Sequence, residues 1–282
     1  MRRVFGSPRV LAGLVLLAVL LAAALGAPWL APNDPNAQDL LATVLPPAWV
    51  QGGDAAYPFG TDTLGRCILS RLIWGTRLAL YVGFVAAAGA MLLGTGIALV
   101  AGYLGGWTDW LVGRLVDTWM SFPPVILALI LLVGFGAGVD KVILAIIVVD
   151  WTRFARVIRA EVLVIRRRDY IAAARLAGFG HFAVIVKEVL PAVLPLIVTL
   201  MSLEMGIAVI VEATMSFVGL SVEPHIPAWG VMIADARSTM YQTPWAVILP
   251  IGGIFVAVLT FNLLGDGLRR ALDPRLAGRA VA

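Results

Sequence analysis

Charge is what this 282-residue sequence has least of. Only 13% of its residues are Asp, Glu, Lys or Arg, while 61% are hydrophobic; a soluble domain carries about a quarter charged and half apolar. So little charge cannot cover an exterior, and with a mean hydropathy of +0.95 most of the outer surface must face lipid. Cys67 is the sole cysteine, which excludes an intrachain disulfide and thiolate metal clusters. The lysines are Lys141 and Lys187, preceded by Asp140 and Val186 rather than by the glycine of G-x-x-x-x-G-K-[ST], so there is no P-loop. His181 and His225 stand apart, outside any H-E-x-x-H, and no G-x-S-x-G elbow occurs. Without a catalytic constellation, an enzyme is disfavoured. The formal net charge of +4 would point to nucleic acid if the basic residues were gathered on a soluble domain. They lie between apolar runs instead, so the expected environment is a bilayer, with no nucleic-acid partner.

The apolar runs are long. A crossing of about 30 Å of hydrocarbon needs roughly 20 residues. Val10–Leu30, Leu78–Leu104, Thr118–Gly136, Lys141–Arg159, Pro191–Ala213 and Trp245–Gly265 each come near that length, giving an all-α polytopic protein of six transmembrane helices. Pro123–Pro124 falls near the start of the third, where a first turn tolerates proline. The first run exceeds the 7–15 apolar residues typical of a signal core, and "LGA" is a poor cleavage site, so an uncleaved helix is expected.

Orientation follows from the basic residues. With the N-terminus inside, one side holds Arg2, Arg3, Arg9, Arg114, the eight of Arg153–Lys187 and four beyond Asp266, which is sixteen of the 21. The positive-inside rule then places both ends in the cytoplasm. Along the second run, Ala86, Ala90, Gly94, Ala98 and Gly102 form a stripe of small side chains, suited to close helix contact inside this chain or with another subunit. Residues 1–77 comprise the N-terminal end, the first span and an external segment made irregular by Pro32, Pro35, Pro46 and Pro47; residues 78–282 comprise the core. Asp62 and Arg66 are spaced to pair in a turn.

One cytoplasmic segment does not fit the pattern of lipid crossing. "RRRDYIAAARLAGFG", within the loop 160–190, is basic, then Ala-rich, then closed by glycine. Asp169 suits an N-cap for a helix over Tyr170–Ala177, with Gly178 the natural stop. Two turns are unstable alone in water. Either this loop folds on its own membrane domain, or a partner holds it through the small residues Ala172, Ala173 and Ala174, with Arg166–Arg168 available to acidic groups. Three carboxylates, Asp150, Glu204 and Glu212, lie within or at the ends of spans. A centrally placed carboxylate costs about 2.5–3.5 kcal/mol on insertion scales, so each must face protein or water. Glu204 and Glu212 are candidates for a common path; Asp150 has Arg153 near enough to pair.

"IAAARLAGFGHFAVIVKEVLP" resembles the signature loop of binding-protein-dependent ABC importer permeases, E-A-A-x3-G-x9-I-x-L-P. Ala173, Ala174, Gly178 and Leu190–Pro191 match; Ala172 stands where glutamate is usual, and Glu188 replaces the isoleucine. "FGTDTLGRCILSRLIWGTRLAL", "AGYLGGWTDWLVGRLVDTWMSFP", "EATMSFVGLSVEP" and "FNLLGDGLRRALDPRL" are similar to the C-type permease subunit of dipeptide, oligopeptide and nickel importers. The resemblance implies a leading helix plus a five-helix core in a bacterial inner membrane. It implies a second homologous permease, two cytoplasmic ATPases that bind the ATP and magnesium, and an external solute-binding protein. No cofactor is implied in this chain. Asp169, Tyr170, Ala172, Ala173, Ala174, Arg175 and Gly178 would form the ATPase-coupling helix; Glu204, Glu212 and Asp150 are the translocation-path candidates. The expected cargo is a small peptide, with nickel or a chelate as the alternative. An ion-coupled secondary transporter using Asp150 or Glu204 is the competing class, but it usually shows paired internal repeats, and none is convincing here.

Overall fold

The computed structural model describes residues 8–223 and 225–272. Arg2, Arg3, Arg275 and Arg279, on which part of the orientation rests, lie outside them. The described residues are helical, apart from connecting segments and one isolated bridge between Thr61 and Cys67. In chain order the helices are α1 (Pro8–Leu25), α2 (Ala27–Leu30), α3 (Ile68–Leu104), α4 (Gly106–Met120) and α5 (Pro124–Phe135). They continue with α6 (Val139–Ile165), α7 (Asp169–Leu176), α8 (His181–Val184), α9 (Leu190–Val218), α10 (Trp229–Ala236) and α11 (Pro244–Leu272).

Helices α3 and α6 form the centre. Ala86, Ala90 and Ala98 on the small-residue stripe are fully buried, as is Gly94. A Cβ on Gly94 would stand 2.2 Å from the Trp151 carbonyl oxygen, and one on Gly102 would stand 2.9 Å from Val162. The stripe is therefore spent on internal packing against α6, where small side chains let two backbones meet. On its other side α3 meets α9 and α10: Gly83 lies under Val209, and Gly75 lies under the Trp229 indole, which donates to the Leu72 carbonyl at 3.0 Å. Helix α1 leans on α11 from outside, crossing where Gly13 faces Leu264 and Gly267 faces Val10.

The spans differ from expectation in three places. Pro8–Leu25, Ile68–Leu104, His181–Val218 and Pro244–Arg269 are long and apolar enough to cross a membrane. The second begins ten residues before Leu78, so the irregular segment runs from 31 to 67. The expected third span, Thr118–Gly136, is broken: α4 and α5 meet at an 86° bend and together make at most a fifth crossing. Its prolines are the cause. Pro123 and Pro124 supply no N–H to a helical ladder, so α5 restarts at Pro124 rather than continuing α4. The expected fourth span lies within α6, long enough at roughly 40 Å. Its charges, among them Asp150, Arg153, Arg156 and Arg159, keep it out of the apolar set.

Two local devices finish the frame. Asp62 and Arg66 do pair, at 2.6 Å, and Arg66 also reaches Asp235 at 2.7 Å, tying the 31–67 segment to α10 beside the buried Arg71. Between α8 and α9 the helix widens to a π turn over Ile185–Val189, where the Leu190 N–H bonds five residues back to Ile185. Pro191 follows directly, lacks a donor, and would press its ring on the carbonyl four residues before it, so the wider turn makes room.

Candidate functional site

The Ala-rich segment is helical, over Asp169–Leu176 rather than Tyr170–Ala177. Asp169 is not the N-cap: Arg168 holds the extended capping backbone without a side-chain bond, and Asp169 opens the first turn. There its negative charge favours the positive end of the peptide dipoles. The stop comes where expected. Gly178 has φ +85°, its N–H bonds to the Arg175 carbonyl at 3.0 Å, and the Phe179 N–H bonds to the Ala174 carbonyl at 3.1 Å. This double closure needs a left-handed residue, which glycine adopts freely.

A helix this short needs tertiary support, and Ile171 supplies it. At 1% exposure, Ile171 sits in a cluster with Tyr103, Ile158, Val162 and Val189, with Ala174 packed alongside. Arg175 turns back over the Tyr103 ring at 4.8 Å and donates to its hydroxyl at 3.1 Å; His181 Nδ1 lies 3.4 Å from the same oxygen. Arg166 does not wait for an acidic partner: it donates to the Gly102 and Tyr103 carbonyls at 3.3 and 3.4 Å, closing the C-terminus of α3. Tyr103 and Ile171 were missed in the sequence, since nothing there connects Tyr103 with a loop some 70 residues on.

The remaining side of the segment is bare. Asp169, Tyr170, Ala172, Ala173 and Gly178 are exposed; Ala174, expected there too, faces inward. Leu176 is 90% exposed and Phe182 79% exposed, with Phe179 between them. The loop thus rests on its own membrane domain with one face and presents an apolar, small-sided apex with the other.

The three carboxylates divide into two sites. Asp150 and Glu204, both nearly fully buried, share Arg153 at 3.4 and 3.5 Å, joining α6 to α9. Glu204 Oε1 has no hydrogen-bond partner among the described residues. Glu212 is closed in elsewhere, accepting from Ser216 and, at 3.3 Å, from Ser221. Eight residues turn a helix by about 80° beyond two full circuits, and that offset separates Glu204 from Glu212. Asp150 borders a cavity of about 40 Å³ whose other wall is the break between α4 and α5, formed by Met120, Phe122 and Pro124.

Residues 94–278 match the family of the binding-protein-dependent transport system inner membrane component, and residues 1–47 match the N-terminal TM domain of oligopeptide transport permease C. The chain belongs to the first of these families and carries the leading domain of the second. It is 36% identical to the dipeptide transport system permease protein of Haemophilus influenzae, over 94% of this chain and 90% of the relative. It is 39% identical to the di/tripeptide transport system permease protein of Pseudomonas aeruginosa, over 96% and 89% respectively. The nickel transport system permease protein of Escherichia coli K12 is also 39% identical, over 93% of each chain. The chain is therefore the multi-pass membrane component of a bacterial ABC importer. It has no catalytic activity or cofactor of its own, and it works with ATPase subunits that handle the ATP and with a solute-binding protein. Membership removes the ion-coupled secondary transporter and the intramembrane enzyme.

Proposed function

We propose that this permease forms half of the translocation pathway for a di- or oligopeptide, pairing with a second homologous permease and two cytoplasmic ATPases. In this reading it crosses the membrane six times, the α4–α5 pair and α6 supplying the fifth and sixth crossings, with both ends in the cytoplasm. Residues 1–77 are the leading unit and 78–282 the transport core, with the coupling loop at 160–190.

The observation that carries the reading is the two-faced α7. Its inner face is pinned by Ile171 and the Arg175–Tyr103 contact, while Ala172, Ala173, Leu176, Gly178 and Phe182 stand clear. An apolar surface held rigidly in the basic half of the molecule is a seat for a protein partner. Small residues let a helix enter a groove without leaving voids. With glutamate absent at position 172, the seat works by shape and apolar contact rather than by a charge there. Movement of the ATPases would pass through the π turn into α9, which carries Glu204, and through Arg166–Arg168 into α6, which carries Asp150. A rigid-body swing of these two helices is the expected exchange between inward- and outward-facing states. Glu212, beside Ser221 at the other end of α9, shapes the external mouth.

Gly178→Asp tests this. The chain should still insert, while binding-protein-stimulated ATP hydrolysis by the assembled complex falls at least about tenfold, the scale of one buried, unpaired charge. Normal stimulation would sink the coupling role. Nickel is the second reading, because the nickel permease is as similar as the di/tripeptide one. The ligand held by the cognate solute-binding protein decides between them.

A further inference from the structure

The break between α4 and α5 lies against a charged face of α6. Residues Ser121–Val125 are exposed. Helix α5 has 12 residues, so in the six-crossing reading, with its far end at one membrane surface, the break lies roughly 18 Å into the bilayer. Backbone that leaves the helical ladder at such depth is tolerated only beside protein or a water-filled cavity. Two arginines of α6 stand against it. Arg153 is one-third exposed, with its inner edge towards Asp150 and Glu204, and lines the same cavity as Met120 and Phe122. Arg156, three residues on, is exposed; its guanidinium lies 3.7 Å from Met120 Sδ and, among the described residues, pairs with no carboxylate. Lipid cannot cover two guanidiniums and an open turn. This face therefore meets water or protein.

Resting on the pathway reading above, we propose that Arg153 and Arg156, at the α4–α5 break, bind the carboxylate of the transported solute. The chemistry fits. A guanidinium presents a planar fork to a carboxylate. The buried pair Asp150 and Glu204 takes the two terminal nitrogens of Arg153, which therefore adds its charge rather than a free fork. Arg156, exposed and without a carboxylate partner among the described residues, presents the free fork beside it. The cargo class is a solute with a free carboxylate, such as a peptide with an unblocked C-terminus, and a bare cation is disfavoured there.

The test uses the complete transporter in proteoliposomes, with both permeases, the ATPases and the solute-binding protein, and compares uptake of dialanine with that of its C-terminal amide. Arg156→Gln should lower dialanine uptake about tenfold, the loss of one charge-assisted contact, and leave amide uptake at the wild-type rate. Arg153→Lys keeps the charge over Asp150 and Glu204 and should lower dialanine uptake less than Arg156→Gln does while sparing the amide, because only the charge of Arg153 acts on the solute. Equal losses for acid and amide would overturn the proposal and make the face a contact with the sister permease. Unchanged dialanine uptake in both variants would overturn it as well. If the wild-type complex moves neither compound while its ATPase responds to the binding protein, the peptide reading itself fails and this site falls with it.

Discussion

Alanine and glycine build two regions of this molecule to opposite ends. In the α3 stripe they are buried: at Gly94 an added Cβ would strike the backbone of α6 at 2.2 Å. At the α7 apex, Ala172 and Ala173 are exposed, and an added Cβ at Gly178 or Gly180 meets nothing within 4 Å. A small residue is a space kept open for something else. In the stripe the occupant is present, because α6 fills it. At the apex the protein has fixed the position of the space but does not fill it, and in the proposed reading the occupant is the ATPase.

The contrast yields four substitutions in falling order of effect. Gly94→Leu should separate α3 from α6 and cost about 4 kcal/mol or more, since the obstacle is backbone and cannot rotate away. A large drop in the thermal midpoint of the detergent-solubilised chain is the readout. Ile171→Ala removes the single buried anchor of α7 and should cost about 2–4 kcal/mol. Its effect is confined to the apex: hydrogen exchange across 169–180 accelerates, while α3 and α6 keep their protection. Tyr103→Phe retains the ring under Arg175 but deletes the hydroxyl that Arg175 and His181 reach, a loss of about 1 kcal/mol. Exchange at α7 should rise modestly. Gly180→Ala, at an ordinary φ of −66° with open space around it, should change folding by less than about 0.5 kcal/mol. If Gly180→Ala destabilised the isolated chain as much as Gly94→Leu, the two regions would not differ as described.

Much of the architecture was legible in the sequence because lipid imposes a coarse rule: long apolar runs become helices. The stripe, the Gly178 stop and the Asp62–Arg66 pair follow from spacing alone. The 86° break did not, because Pro123–Pro124 reads equally as a first turn within one span or as an interruption between two helices. Helix starts drifted for a related reason: the ten residues before Leu78 include Arg71 and Arg77, so hydropathy ends the span early. At the apex, Ala172–Ala174 looked like one small-sided face, yet Ala174 lies inward because helical geometry turns each successive residue by about 100°. The Asp150–Arg153 contact was near in sequence and could be anticipated. Glu204 joins it from some 50 residues away, and no local pattern announces that.

The central claim is that the outward face of α7 is gripped by a cytoplasmic ATPase. Since Cys67, the one cysteine, is buried at 1% exposure, Ala173→Cys introduces a single accessible thiol. In the assembled complex, that thiol should cross-link to the ATPase subunit and resist a water-soluble maleimide, while in the permease alone it should label freely. Equal labelling in the two preparations, with no cross-linked product, would contradict the account.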